Sequence, residues 1–137
     1  MVGIADLILK RKSDGKIILV DHKSSGHFLK KDGKPLKTMQ ESFEKYKHQM
    51  YMYADAMQKL MGITPDYIVW NHFLEGTTTV IKYDQGDQEE TLKWAEDIIE
   101  RIYEDEEFNA KQSYVMCNML CNYRELCEYK EFSDDEE

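Results

Sequence analysis

The sequence predicts an α/β fold in which a mixed central β-sheet is flanked by α-helices. Three observations lead there. Two pairs of short runs rich in branched apolar residues, Ile4 to Leu9 with Ile17 to Val20 and Tyr67 to Leu74 with Thr77 to Tyr83, are each joined by a Gly-containing turn and read as β-hairpins. Residues 41–61 and 88–105 carry apolar side chains at helical spacing. At 137 residues the chain is long enough for one domain with a real core, taken as 1–132, followed by a disordered acidic tail over 133–137.

The first hairpin turns at Ser13-Asp14-Gly15-Lys16, where Asp-Gly suits a two-residue loop. That loop makes the numbers of facing residues sum to 29, which sets Asp6 opposite Lys23 and Ile8 opposite Asp21. Because side chains alternate along a strand, Asp6, Asp21 and Lys23 then share one side, with Asp6 and Asp21 about 7–8 Å apart on the diagonal. Ionised groups among apolar strands are costly unless paired or bound to metal. The arrangement fits either an ion pair at a sheet end or a site.

The segment from His27 to Thr38 has no clear period, contains Asp32-Gly33 and Pro35, and reads as a long loop. Long loops beside a charged site often cover it. Phe43, Tyr46, Met50, Tyr53, Met57, Leu60 and Met61 then trace a helix, for which Gly62 suits the C-cap. Gln49 and Tyr53, four apart, lie on one face with Tyr46 and Met57. Glu75-Gly76 turns the second hairpin. Asp87 with Glu90 resembles a capping box opening a second helix, whose core positions are Leu92, Ala95, Ile98, Ile99, Ile102 and Tyr103, and the acidic run Glu104 to Glu107 ends it.

The net charge of −9 is unevenly spread. Residues 1–59 hold 12 Lys+Arg against 7 Asp+Glu, or +5, and residues 60–137 hold 6 against 20, or −14. The basic half contains the charged hairpin, and Lys30, Lys31, Lys34 and Lys37 follow it in a loop suited to a polyanion or simply to solvent. No apolar run approaches the ~20 residues that span a bilayer, so a soluble cytoplasmic protein with no membrane partner is expected. Three cysteines cannot all pair within the chain, which disfavours a secreted disulfide scaffold and leaves thiols or metal ligands.

Taken in order, Gly3-x-x-Asp6, Asp21-His22-Lys23, Gln49-x-x-x-Tyr53 and the cysteines beside Tyr123-Arg124-Glu125-Leu126-Cys127 resemble the PD-(D/E)XK nucleases, in the RecB-like exonuclease branch that also includes CRISPR-associated exonucleases. The resemblance implies a restriction-endonuclease-like core and a Mg²⁺- or Mn²⁺-dependent deoxyribonuclease, most simply an exonuclease, in DNA recombination, repair or phage DNA processing. Its partners would be DNA and a helicase or other recombination protein. It further implies that Asp6, Asp21 and the backbone carbonyl of His22 ligate the metal, that Lys23 positions and polarises the attacking water, and that Gln49 and Tyr53 hold substrate or the geometry of the site. Apart from the resemblance, Gln49 and Tyr53 are ordinary helix packing. His27 lies in the loop, from where it could approach a phosphate, and none of His22, His27, His48 and His72 is assigned a metal through its side chain.

In the iron–sulfur subset of that family, Cys117, Cys121 and Cys127 would correspond to three cluster ligands. Their spacing is one residue long at the first gap, and a 4Fe-4S cluster is expected only if a fourth cysteine comes from outside this chain. The family helix that precedes the first motif and carries a ligating His has no counterpart before Gly3. The chain is therefore expected to be a naturally reduced nuclease or a fragment, binding metal weakly and favouring Mn²⁺. Two other functional classes compete: a non-catalytic nucleic-acid- or partner-binding module that keeps the nuclease fold, and a small zinc-binding interaction domain built on the cysteines plus a histidine. The purified 137-residue chain is expected to lack stoichiometric iron and sulfide, and a brown protein with both by elemental analysis would contradict this.

Overall fold

The computed structural model describes residues 3–24, 26–30, 36–107 and 116–127. The basic residues Lys31 and Lys34 and the acidic tail 133–137 lie outside the described residues. Strands β1 (Leu7–Lys10) and β2 (Ile17–Lys23) are followed by a 3-10 turn at Lys37–Met39 and helix α1 (Gln40–Met61). Strands β3 (Tyr67–His72) and β4 (Thr77–Lys82) then lead into helix α2 (Gln85–Glu104). The chain divides into two compact units, Met1–Ile99 and Glu100–Glu137. Within the second, a π-helical turn spans Met116–Leu120 and a 3-10 turn spans Arg124–Leu126. No helix among the described residues is long and apolar enough to cross a membrane.

The four strands form one mixed sheet in the order β1-β2-β3-β4, antiparallel, parallel and antiparallel in turn. The α/β architecture therefore has two hairpins joined edge to edge by the parallel β2–β3 pair. Parallel neighbours need a crossover, and the segment containing α1 supplies it. Alternation assigns Ile17, Leu19, Asp21 and Lys23 of β2 to one face, beside Ile68, Trp70 and His72 of β3. Leu19, Ile68 and Trp70 on this face pack in one cluster with Phe43, Met50, Tyr51, Ala54 and Met57 of α1 and with Phe28. The indole N–H of Trp70 is buried there without an acceptor among the described residues.

The first hairpin departs from the expected register by two residues. Leu7 faces Val20 and Ile8 faces Leu19, so facing pairs sum to 27 and not 29. Arg11 explains the longer loop: its guanidinium clasps the Asp14 carboxylate, with Nε donating at 2.7 Å, while Gly15 N–H donates to Arg11 C=O at 2.8 Å. Gly15 takes a positive φ (+74°) within this loop. A slip of two preserves the parity of every side chain. The residue facing Asp21 is no longer Ile8, and continuing the same register would bring Asp6 to it.

Helix α1 begins one residue before its expected start and ends at Gly62 as expected. Gly62 adopts the left-handed conformation (φ 66°) and its N–H returns to the carbonyls of Gln58 and Met57. Helix α2 starts earlier than the expected Asp87, because Asp84 Oδ1 accepts the Asp87 N–H at 3.1 Å and so caps the first turn. Phe73 and Leu74, expected in β3, sit in the turn and are exposed.

Asp66 ties the starts of β2 and β3 together. Its carboxylate accepts from Lys16 Nζ at 2.6 Å and from Ile17 N–H at 2.8 Å, and these two bonds hold it below the usual carboxylate range. A depressed folded-state value means that the stabilisation is complete at neutral pH, begins to fade below the ordinary Asp value of about 3.9, and is lost as pH falls through the depressed one. Asp66→Asn should therefore melt below the parent at about pH 7, with the gap narrowing as pH falls below about 3.9, as read by circular dichroism melts across that range.

Candidate active site

β2 and α1 build the candidate site. β2 supplies Asp21 and Lys23 from one face of the strand, and α1 supplies Tyr46, Gln49 and Tyr53, each about one helical turn from the next. Leu19, two residues before Asp21 on the same face, is fully buried in the core and locks β2 against α1. Asp21 follows it inward and is only 5% exposed.

Lys23 lies at the centre. Its Nζ is 2.9 Å from Asp21 Oδ2, donates to Gln49 Oε1 at 3.2 Å, and sits over the Tyr46 ring at 3.9 Å from the centroid. Gln49 Nε2 in turn donates to Tyr53 OH at 3.0 Å. A continuous polar line thus runs Asp21, Lys23, Gln49, Tyr53. The ammonium is near Asp21 but does not satisfy it: Asp21 Oδ2 is buried and has no hydrogen-bond partner among the described residues, so the two charges meet at an angle unsuited to a hydrogen bond. A buried carboxylate oxygen left in that state is costly, and such a group calls for an explanation.

Asp6 precedes β1 and is exposed, and its Oδ2 accepts the backbone N–H of His22 at 2.8 Å. This bond carries the pairing of the first hairpin one step beyond β1 and brings Asp6 to the backbone next to Asp21. Gly3 makes that entry possible. A Cβ at this position would stand 2.9 Å from Tyr53 Cε1, so the chain passes against the Tyr53 ring only because residue 3 has no side chain.

The histidines have other partners. The His22 imidazole pairs with Asn71 Nδ2 at 2.9 Å, on the sheet face away from Asp21. His48 bonds Thr91 Oγ1 and stacks on Trp94, and His72 bonds Thr79 Oγ1 inside the core. His27 is held by Glu75, whose Oε2 accepts from its backbone N–H at 3.1 Å and lies 2.9 Å from Nδ1. That contact keeps the Glu75 carboxyl below its usual range. Cys117, Cys121 and Cys127 are free thiols. Among the described residues no group of three or more His, Cys, Asp and Glu side chains comes together as a metal site.

Two residues at the site went unnoticed in the sequence. Tyr46 reads there as a core position, although its ring faces an ammonium. Phe28 falls in the segment read as a featureless loop, yet it is fully buried and packs against Phe43, Tyr46, Trp70 and His72. An isolated Phe in a polar loop is the one available signal. Comparison with known proteins finds no matching family model, curated protein or solved structure.

A buried, orphaned carboxylate oxygen is the kind of donor that a hard divalent cation takes. Added Mn²⁺ should raise the melting temperature of the parent chain, by the equivalent of about 2.7 kcal/mol at 100 times the dissociation constant, and leave that of Asp21→Asn unmoved. Differential scanning fluorimetry with and without EDTA reads this directly.

Proposed function

We propose that this chain is a metal-dependent DNA nuclease that hydrolyses phosphodiester bonds. The observation that carries the reading is the buried Asp21 oxygen with no hydrogen bond, 2.9 Å from an ammonium that Gln49 and Tyr46 also hold. The ion pair at 2.9 Å leaves that oxygen without a hydrogen bond of its own, and a carboxylate oxygen in that state is a ligand for a further cation.

The donor chemistry suits a hard cation: Asp21 and Asp6 would supply carboxylate oxygens, the His22 carbonyl would add a third, and water would complete the shell. Bound there, Mg²⁺ or Mn²⁺ would polarise a phosphoryl oxygen and lower the pKa of a water. The protein's own contribution centres on Lys23. A fixed ammonium beside a scissile phosphate offsets the negative charge that grows as the nucleophile adds, and it needs no reorganisation if it is already in place. Gln49 keeps one Lys23 proton directed, and Tyr53 keeps Gln49 in the rotamer that does so. Asp6, anchored on the His22 N–H, joins the first strand to the site.

DNA as the substrate class is supported by the excess of Lys and Arg in residues 1–59, the stretch that supplies all of these side chains. Lys30 and Lys37, both exposed, follow β2 and suit a phosphate backbone. The resemblance to RecB-like PD-(D/E)XK nucleases, with a restriction-endonuclease-like core, accounts for the same residues in the same order.

Incubation with single- and double-stranded DNA in Mg²⁺, Mn²⁺ or EDTA should give cleavage only with metal. Asp21→Asn and Lys23→Ala should each lower the rate on the order of 10²-fold or more while the chain stays folded by circular dichroism. Full cleavage by either folded variant would assign the activity elsewhere.

A further inference from the structure

The Lys23 ammonium has a third neighbour besides Asp21 and Gln49: the face of the Tyr46 ring, 3.9 Å from Nζ to centroid. We propose that Tyr46 is a positioning residue for Lys23, holding the ammonium over its ring so that Asp21 Oδ2 stays open for a cation. As a statement about catalysis this rests on the nuclease reading above; as a statement about where Lys23 is held it does not.

The geometry supports it from two sides. Tyr46 precedes Gln49 by three residues on α1, so ring and carboxamide project from one face of the helix and reach the same ammonium together. Against the ring packs Phe28, with centroids 5.2 Å apart and planes at 31°. Phe28 is itself fixed edge-on against His72 (4.7 Å) and Trp70 (5.8 Å), both fully buried. The ring that Lys23 meets is therefore held by the core rather than free to swing.

A lysine side chain is flexible, and an ammonium beside a buried carboxylate is drawn to close on it. Closure would hydrogen-bond Asp21 Oδ2 to its neighbour and occupy the lone pairs that a cation needs. The negative face of an aromatic ring attracts the ammonium without taking a directional hydrogen bond from it. With Gln49 Oε1 as acceptor on another side, Nζ is kept close to Asp21 Oδ2 yet off its hydrogen-bonding direction. A tyrosine that served only as packing would leave Lys23 unaffected when replaced by another apolar residue of fitting size.

Three variants separate these roles: Tyr46→Phe keeps the ring face, Tyr46→Leu removes it, and pentafluorophenylalanine at position 46 keeps the volume while reversing the sign of the face. Proton NMR of lysine-labelled protein should show the Lys23 ε-methylene upfield of the other lysines in the parent and in Tyr46→Phe, and returned to the ordinary position in Tyr46→Leu. Metal-dependent cleavage should persist in Tyr46→Phe and fall about 5- to 30-fold in kcat, with little change in KM, in the leucine and pentafluoro variants. If Tyr46→Leu does not fold, the pentafluoro variant gives the same reading at constant volume through the rate and through the Lys23 signal leaving its parent position. An unshifted Lys23 methylene in the parent, or full cleavage by the pentafluoro variant, would overturn the proposal. A shifted methylene that depends on the Tyr46 face, in a chain that cleaves no DNA under any metal, would keep Tyr46 as the holder of Lys23 and remove the nuclease reading instead.

Discussion

The burial of one strand face governs this protein. β2 presents Ile17, Leu19, Asp21 and Lys23 to the same side, so the pleat that drives Leu19 into the core carries two charged residues in after it. Leaving a carboxylate at 5% exposure is unfavourable, and the neighbouring structure responds to it. Lys23 supplies the opposite charge, Gln49 and Tyr46 anchor Lys23 from α1, and Tyr53 anchors Gln49. The compensation is incomplete, because one Asp21 oxygen remains without a hydrogen bond. Strand pairing, helix placement and the aromatic cluster around Phe28 all converge on that oxygen.

Polar contacts define the packing of α2 on α1 within the first unit. Gln58, Tyr83 and Gln88 close a ring of hydrogen bonds at 2.8 to 3.0 Å. Asp87 receives both Lys47 Nζ at 2.6 Å and Tyr51 OH at 3.1 Å, and burial pushes the Tyr51 phenol well above its usual range. Because these partners are mutual, the buried polar groups are satisfied, and hydrogen-bond geometry sets how the helices meet more narrowly than apolar contact would. The contrast with Asp21 is informative. The same fold that satisfies Gln88, 6% exposed, leaves Asp21 Oδ2 and the Trp70 indole N–H without hydrogen bonds among the described residues, and of these two only Asp21 is a carboxylate.

Much of the fold was legible in the sequence where a local rule acts alone. The Gly62 cap follows from the need for a left-handed residue at a helix end, and the α1 span follows from its apolar period. Other features depend on a partner elsewhere in the chain. The hairpin register turned on Arg11 reaching Asp14, a side-chain pair that outweighs the preference of Asp-Gly for a two-residue turn. In α2, Ala95 is buried as its apolar period predicts, but Gln88 and Thr91 are buried on the same face while Ile99, Ile102 and Tyr103 are exposed, so hydropathy alone read only part of the inner face. Gln88 is taken inside by Gln58 and Tyr83, and Thr91 by His48, none of which its own period reveals.

By itself the sequence determined the α/β class, the four strands, the two helices and the alternation that puts Asp21 and Lys23 on one face with His22 on the other. These follow from backbone periods of 2 and 3.6 residues, which are properties of the local chain. Only the tertiary structure decided what surrounds those charges. That Lys23 meets Gln49 across 26 residues, that Phe28 leaves an unpatterned loop to pack against Tyr46, and that Gly3 must be bare to pass Tyr53 are all consequences of non-local packing. The physical reason is that burial and hydrogen-bond satisfaction belong to the assembled neighbourhood, and a residue's own position in the sequence does not say which distant groups will complete it.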